Sequence, residues 1–249
     1  RSGHSFPTRR SSDLSFLIPL IYFYFKIGFQ LIKSFLFIFV LICLQGFFGW
    51  YMVTSGLVDR VDVSHFRLSV HLVLAFIILS LILWNYLIFS KLKKSNNQIS
   101  QVLPLIFLFL IFMQIIIGAF VAGMDAGKIY NTWPLMGESF FPDDNIYANI
   151  FSISAFSDPS LVQFMHRNLA YIIFISYLCI FFYIYKKKKY DLYKIINLIG
   201  FFLILQIILG IITLINGAQI ITSSMHQISS VFLVSSSIYF IYLNFNQQP

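Results

Sequence analysis

The stretch VLPLIFLFLIFMQIIIGAFVA, residues 102–122, decides the fold, because it contains no charged side chain over its whole length. About 20 consecutive apolar residues are needed to cross the hydrocarbon core of a bilayer as an α-helix. Gln114 and Gly118 interrupt the stretch with an uncharged amide and a minimal side chain, which membrane helices accept where they contact one another. The stretch is therefore predicted to be a transmembrane helix.

Five further apolar runs of similar length lie on either side of this stretch. They are residues 34–53, 66–89, 161–185, 194–215 and 224–243. Apolar residues make up 59% of the 249 and charged residues only 10%, whereas soluble domains are about a quarter charged. The composition excludes a soluble domain. The sequence predicts an all-α polytopic membrane protein with about six full helices.

The formal net charge of +8 is concentrated in alternate connections between these runs. Those connections hold Lys26, Lys33, Lys91, Lys93, Lys94, residues 186–189 and Lys194, against the single acid Asp191. The other connections are net acidic. Because cytoplasmic loops of membrane proteins carry the lysine and arginine excess, we expect the lysine-rich side and the C-terminus to be cytoplasmic. Anionic lipid suffices as the partner of these lysines, and no nucleic-acid partner is expected.

One connection on the acidic side, residues 123–160, is far longer than the others. Loops of this length are uncommon unless they carry function or are disordered, and the many aromatic residues argue against disorder. Proline after Trp133 and after Phe141 favours an ordered, turning loop over a helix. Asp125, Lys128 and Tyr130 are its polar candidates for catalysis, beside a role as turn and interface residues.

The first residues differ abruptly from the rest. Residues 1–14 are polar and basic, and SFPTRRSSDL at 5–14 matches the translation of a common sequencing-adapter primer, so we expect an assembly artefact there. The alternative is a genuine cytoplasmic tail. The short apolar run 15–25 is about half a span and is interpreted as the end of a helix whose beginning is missing.

Three of the runs share a motif in which glutamine precedes glycine by four residues. The pairs are Gln45 and Gly49, Gln114 and Gly118, and Gln206 and Gly210. Residues four apart lie on one helix face, where glycine allows close helix approach and glutamine offers a hydrogen bond between helices. Such a repeat is what duplicated helical hairpins produce. A role in packing alone and a functional role for the glutamines both remain open.

The helix that follows each of these motifs has a histidine near its acidic-side end: His71, His166 and His226. Ionisable residues within membrane helices are costly and usually face the interior, a cofactor or an ion path. A lone histidine of this kind is more often a hydrogen-bonded interior residue, but three at one depth favour ligands. Imidazoles from facing helices can hold a haem iron axially.

Neighbouring residues limit the alternatives to this histidine site. Zinc is less favoured, because no cysteine or acid accompanies the histidines at ligand spacing, and Cys43 and Cys179 lie inside apolar runs. His65 is expected to be solvated in the loop before its helix. Arg67 and Arg167 either extend to lipid headgroups or pair with carboxylates such as haem propionates.

Four strings together resemble the haem A synthase family, in the form found in mitochondria and alphaproteobacteria. They are QGFFGWYMVTSGL at 45–57, GAFVAGMDAGKIYNTWPLM at 118–136, QFMHRNLAY at 163–171, and the pair His226 and Gln227. The resemblance implies an eight-helix membrane enzyme of two similar four-helix halves. Here residues 15–101 would be the remainder of an incomplete N-terminal half, and residues 102–249 a C-terminal half with a haem site.

The resemblance also implies the chemistry and the site residues. The enzyme would oxidise the C8 methyl of haem O to a formyl group, with oxygen from water, giving haem A for cytochrome oxidase. His166 and His226 would be the axial ligands of haem b, and Arg167 a contact of its propionates. His71 would be catalytic, in a substrate-haem half-site whose partner histidine has no counterpart in this chain, so we expect an N-terminally truncated member.

Location and partners follow from the same resemblance. It implies a bacterial inner membrane, haem O as substrate and haem O synthase as a partner, and it leaves a homo-oligomer open. Two rival functions use the same features. A bis-histidine cytochrome would carry electrons without converting haem O, and a secondary transporter would also favour repeats, although its site would lie at the midplane.

Overall fold

The computed structural model describes residues 29–56 and 63–245, which form six long helices. They are α1 (Phe29–Gly56), α2 (His65–Phe89), α3 (Val102–Gly123), α4 (Pro159–Lys186), α5 (Tyr193–Ile215) and α6 (Ile220–Asn244). All six are long and apolar enough to cross a membrane. The predicted class, an all-α polytopic membrane protein, is confirmed. The adapter-like residues 1–14 and the half-span 15–25 lie outside the described residues.

The helices extend up to five residues beyond the apolar runs of the sequence. Their ends are determined by local capping interactions as well as by apolar residues. At the start of α4 the carboxylate of Asp158 accepts a hydrogen bond from the Leu161 amide (3.0 Å), which satisfies a free donor of the first turn. Pro159 is the first residue of this helix, where proline costs no hydrogen bond. Pro104 likewise lies in the first turn of α3.

The chain divides into two compact units, residues 1–44 and 45–249. Of the first unit, the described part is the helical segment 29–44. In the second unit, α3 packs against α4, α4 against α5, α5 against α6, and α6 against α3, so that these helices close a four-membered ring. Helix α2 packs on α3 and α6 from outside the ring. The ring occupies the residues expected for a C-terminal half, while the assignment of two halves stays a prediction.

The centre of the ring is filled by large apolar side chains. Phe107, Ile184, Ile196, Ile199 and Phe240 are fully or almost fully buried. Other aromatic residues on the same helices point outward, such as Phe182 and Phe201, which are 63% and 61% exposed. Apolar surface on both sides of a helix is what a membrane protein requires, because its outer faces contact lipid. Packing between helices then comes from close van der Waals contact.

The lysine-rich end of the bundle is held together by side chains that bind backbone groups of distant connections. Asn244 at the end of α6 accepts from the Ile99 amide (2.7 Å) and donates to the Ile99 carbonyl (2.9 Å). Asp191, between α4 and α5, accepts a hydrogen bond from the Asn96 amide (3.0 Å). The single acid of this end therefore fixes the connection between α2 and α3.

The long loop between α3 and α4 has no long helix of its own. It contains three short 3₁₀ helices, Ala126–Lys128, Tyr147–Phe151 and Ile153–Ser157, and an isolated bridge between Met136 and Ser139. The peptide bond from Trp133 to Pro134 is cis. The loop starts and ends at the end of the bundle opposite the lysines, which we call the loop end.

Candidate functional site

The three predicted histidines occupy equivalent positions in three helical hairpins. In each, the imidazole of the second helix lies directly against the motif glycine of the first. A Cβ added at Gly49, Gly118 or Gly210 would lie 3.1 Å from Cε1 of His71, His166 or His226, respectively. Contacts this short leave no room for a methyl group unless the ring moves. The glycines are therefore notches for the imidazoles, which is a sharper role than general helix approach.

The motif glutamines hold two of these histidines by the same pair of contacts. The Gln45 side-chain nitrogen lies 3.2 Å from His71 Nε2 and 3.0 Å from the His71 carbonyl oxygen. The Gln114 side-chain nitrogen lies 3.2 Å from His166 Nε2 and 3.0 Å from the His166 carbonyl oxygen. One amide thus bridges the backbone and the ring of one histidine across the hairpin.

The third hairpin keeps the glycine contact but uses its glutamine differently. The Gln206 side-chain oxygen accepts a hydrogen bond from the Ser229 hydroxyl, one turn beyond His226. That hydroxyl also lies 2.9 Å from the His226 carbonyl oxygen. The single hydroxyl hydrogen of Ser229 can be donated to either oxygen, so Ser229 and not a glutamine amide is the side-chain neighbour of the histidine carbonyl in this hairpin.

One nitrogen of each imidazole is buried and has no hydrogen-bond partner in the described part of the chain. Nδ1 of His71, His166 and His226 makes no hydrogen bond to any residue that the structure describes. Buried polar atoms usually have partners, so this pattern at all three histidines marks the rings as unusual. Imidazole nitrogens with unmet bonding capacity are suited to ligation.

His166 and His226 meet the basic requirement for holding a haem between helices. They lie on α4 and α6, which are opposite members of the four-helix ring. Two imidazoles on opposite helices at one depth are the donor set of an axially ligated haem iron. His71 lies on α2, which is outside this ring.

Arg167, next to His166, binds the long loop. Its Nη1 donates to the carbonyl oxygens of Thr132 (2.9 Å) and Leu135 (3.1 Å), and its Nη2 donates to that of Tyr130 (2.9 Å). The two roles expected for Arg167, headgroup contact and propionate contact, did not include this one. Its Nε is buried and makes no hydrogen bond to the described residues. The propionate contact stays a prediction.

Two residues near the loop end differ from expectation. His65 is the first residue of α2 rather than a solvated loop residue, and its ring packs edge-on against Phe120 of α3 (5.3 Å between centroids). The expectation of solvation was wrong because Gly123 admits the His65 backbone to α3 at close range. Arg67 stacks over the Tyr51 ring of α1 at 4.8 Å, a cation–π contact.

The polar candidates of the long loop form local networks. The Asp144 carboxylate accepts from the hydroxyls of Tyr130 (3.0 Å) and Ser160 (2.6 Å). Burial alone would raise the pKa of Asp144, but the hydrogen bonds from Ser160, Tyr130 and Asn145 outweigh it and lower that pKa. Burial and the bond to Asp144 raise the pKa of Tyr130. Asp125 pairs with Lys128 (3.0 Å) on the exposed surface, which supports a turn role for both.

Two further residues were not singled out in the sequence. Asn131 donates to the Gly127 carbonyl (2.9 Å) and to the Leu214 carbonyl at the end of α5 (2.8 Å). Gln163, one turn before His166, is buried and donates to the Tyr130 carbonyl (3.1 Å). The signal for Gln163 was its place among apolar residues beside the histidine. Nothing local distinguished Asn131, because its partner is more than eighty residues away.

Comparison with known proteins agrees with the four strings. Residues 9–238 match the model of a family described as "Cytochrome oxidase assembly protein". A protein named "Heme A synthase" from Pelagibacter ubique is 46% identical, over 92% of this chain and 68% of its own length. Proteins of the same name from Rickettsia bellii and Rickettsia prowazekii are 43% and 39% identical, over 69% and 72% of their own lengths. The chain therefore belongs to the cytochrome oxidase assembly protein family and is of its alphaproteobacterial type.

Proposed function

We propose that this chain is a haem A synthase, an oxidoreductase of the membrane that makes haem A for cytochrome oxidase. The observation that carries the proposal is the pair His166 and His226, on opposite helices of one ring, each seated in a glycine notch and each with a buried Nδ1 that has no partner among the described residues. The name shared by relatives up to 46% identical supports it independently.

The resident cofactor of this proposal is haem b, held by His166 and His226. When bound by these two histidines, a haem would supply electron transfer. The protein contributes ligation, orientation and control of solvent. Arg167 has an unused Nε beside His166, which would suit a propionate oxygen because guanidinium groups bind carboxylates well.

The substrate is haem O, and His71 is the residue proposed to position it. Oxidation replaces the C8 methyl by a formyl group, with oxygen from water, and releases protons and electrons to an external acceptor. His71 has the same glycine notch and glutamine contact as His166, which supports a haem-binding role. Haem O synthase is the partner that would supply the substrate. A homo-oligomer is a second possible assembly of this chain.

The long loop would limit access of water to the loop end of the site. It is attached near His166 through Arg167 and to the end of α5, just before the turn that leads to His226, through Asn131. A segment fixed at both hairpins can exclude solvent from the space between them, which protects charged or reactive species. Asp125, Lys128 and Tyr130 act in this proposal by shaping the loop.

The orientation follows from charge. With the lysine-rich connections on the cytoplasmic side of the bacterial inner membrane, the loop end with its three histidines lies on the opposite side. The C-terminus after α6 is then cytoplasmic. In intact cells, we expect a membrane-impermeant, cysteine-reactive label to attach to the variant Glu138→Cys. The same label should not attach to Lys187→Cys. The reverse labelling would overturn this orientation.

The main rival is a bis-histidine electron carrier, which the same histidine pair would serve. The product separates the two functions. Cells supplied with haem O express the protein from its natural gene, alongside the double variant His166→Ala, His226→Ala and the control Gly46→Ala, whose added methyl meets nothing within 4 Å. We expect haem A or its hydroxylated precursor in extracts of the parent and the control only. Bound haem b with haem O returned unaltered would instead favour the carrier.

A further inference from the structure

An open groove of about 380 Å³ lies between α2, α3 and α6, near the lysine-rich end of the bundle. This volume is in the range of sites that hold small molecules, which is about 300–1,000 Å³. Helix α2 packs on the four-helix ring from outside, so the groove follows the junction between α2 and the ring. Its walls are almost entirely apolar, and they include Leu81, Trp84, Leu105, Leu108, Ile238 and Ile241.

The groove runs from the lysine-rich surface toward the centre of the bilayer. Along α3 it extends from Gln101 to Leu108, and along α6 it extends from Phe245 to Ile238. Each of these segments covers about 10 Å, at about 1.5 Å per residue. Trp84 lies at the end near the lysines, where tryptophan is frequent in membrane proteins. The shape therefore fits an extended hydrocarbon chain whose polar end lies at the lysine-rich surface.

The mouth of the groove is positively charged. Lys91, Lys93 and Lys94 follow the end of α2, and the Lys94 ammonium lies 5.3 Å from the centroid of the Phe245 ring, which lines the groove. None of the three lysines forms an ion pair with a residue that the structure describes. Asp191, the acid of this end, accepts a hydrogen bond from a backbone amide instead. An anionic group at the mouth would therefore meet positive charge that no described carboxylate compensates.

We propose that this groove is the binding site of one anionic phospholipid, with an acyl chain between α2, α3 and α6 and the phosphate beside Lys94. Basic pockets between membrane helices bind anionic lipid headgroups in this way. The site differs from the general attraction of lysine-rich loops to anionic lipid, because the groove fixes one lipid in one position. The lipid would also fill the junction between α2 and the ring.

The site is separate from the proposed haem chemistry. Trp84 follows His71 by thirteen residues on α2, which places it about 20 Å further along the helix. Failure of either proposal would leave the other intact, because lipid binding and haem conversion are measured independently.

The test uses the fluorescence of Trp84, which lines the groove. The chain has three tryptophans, so the variant Trp50→Phe, Trp133→Phe keeps Trp84 alone and serves as the parent. Bromine atoms on an acyl chain quench tryptophan on contact. The protein is placed in phosphatidylcholine vesicles that contain a small fraction of brominated phosphatidylglycerol or, in parallel, of brominated phosphatidylcholine. We expect at least about a fivefold higher apparent affinity for the anionic lipid, which corresponds to about 1 kcal/mol.

The lysines supply a matched pair of variants. Lys91→Gln, Lys93→Gln, Lys94→Gln removes the cations at the mouth, and we expect the preference for phosphatidylglycerol to fall below about twofold. The control Lys186→Gln, Lys187→Gln, Lys188→Gln removes the same charge from the connection between α4 and α5 at the same end of the bundle. It should keep the preference of the parent.

The groove supplies a second matched pair. Leu105 and Ile106 are neighbours on α3 with isomeric side chains, and both are 51% exposed, but Leu105 lines the groove and Ile106 does not. Leu105→Phe places a larger side chain in the groove, so we expect weaker quenching of Trp84 by brominated phosphatidylglycerol. Ile106→Phe should leave the quenching as it is in the parent.

Three results would overturn the inference. The first is equal quenching by the two brominated lipids in the parent, a result that needs no variant of the groove to fold. The second is an equal loss of preference in the two lysine variants, which would mean that the charge of the whole surface attracts the lipid. The third is equal quenching in Leu105→Phe and Ile106→Phe, which would mean that the acyl chain does not occupy the groove.

Discussion

The hairpins α3–α4 and α5–α6 place their histidines in the same way but are connected very differently. In both, the motif glycine would bring an added Cβ to 3.1 Å from the imidazole Cε1. The first hairpin is closed by a loop that runs from Met124 to Asp158, and the second by a turn of four residues, Asn216–Gln219. In that turn Gly217 and Ala218 adopt positive φ angles of 68° and 56°. Only Gly217 does so without the strain of a side chain.

The difference indicates that contact between the helices sets the position of the ring, whatever the connection. The long loop is then an addition to the first hairpin rather than a requirement of its geometry. It also reaches the second hairpin, because an added Cβ at Gly127 would lie 3.1 Å from Cβ of Ala218, and because Asn131 binds Leu214. One loop therefore contacts the ends of both hairpins.

The largest expected effect is a loss of bound haem, and it should be the same for the histidines of both hairpins. His166→Ala and His226→Ala should each sharply lower the amount of bound haem b, because each variant removes one of the two proposed iron ligands. Haem content of the purified protein, measured from the absorbance of the extracted haem, checks this. His65→Ala serves as the control, since His65 packs on Phe120 away from the glycine notches, and should retain haem. Haem retained at the level of the parent protein in either ligand variant would mean that the two hairpins do not form one site.

The next-largest effect should differ between the two hairpins, because it concerns the long loop that connects α3 to α4. Arg167→Lys keeps the charge but cannot bind the three carbonyls of Tyr130, Thr132 and Leu135 with the fixed fork of a guanidinium. Hydrogen bonds to a charged group contribute about 1.5–3 kcal/mol. We expect trypsin cleavage after the exposed Lys128 to accelerate by at least about tenfold, which corresponds to about 1.4 kcal/mol.

The control for this change is Arg67→Lys, which alters an arginine of α2 that stacks on Tyr51 and leaves the loop contacts intact. Mass spectrometry of the fragments identifies the cut at residue 128. Equal cleavage in both variants and the parent protein would show that Arg167 does not hold the loop.

Substituting the notch glycines should lower the stability of both hairpins to a similar extent. Gly118→Ala and Gly210→Ala each force a methyl group against an imidazole, and overpacking of this kind costs about 1–3 kcal/mol. Gly46→Ala, whose added Cβ meets nothing within 4 Å, should be neutral or stabilising, since alanine favours helix over glycine by about 1 kcal/mol. Thermal unfolding in detergent measures all three. A Gly118→Ala protein as stable as Gly46→Ala would contradict the notch.

Sequence reasoning recovers the parts of this molecule that depend on local pattern. Six apolar runs gave six helices, and three histidines following three glutamine–glycine motifs indicated equivalent hairpins. The sequence did not show which group each motif glutamine contacts. Gln114 contacts His166, whereas Gln206 contacts Ser229, one turn beyond His226. The packing of His65 against Phe120 and the loop contacts of Arg167 arise from distant pairs that no local pattern encodes.

The smallest expected effect comes from Asp144, which fixes the end of the long loop to Ser160 at the start of α4. Its pKa in the folded protein is lowered, so its hydrogen bonds stabilise the protein above the unfolded pKa of about 3.9. That contribution is lost as the pH falls through the lowered folded pKa. Because Asp144 is exposed, the effect should stay below about 1 kcal/mol.

The measurement is the unfolding temperature between neutral pH and acid, compared between the parent protein and Asp144→Asn. The variant should be slightly less stable at neutral pH and should converge with the parent as the carboxyl is protonated, because both side chains are then neutral. A difference that widens toward low pH would have the wrong sign and would remove Asp144 from the attachment of the loop. The turn of the α5–α6 hairpin, residues 216–219, contains no carboxylate. The loss of stability in acid that Asp144 causes is therefore expected only for the long loop of the α3–α4 hairpin.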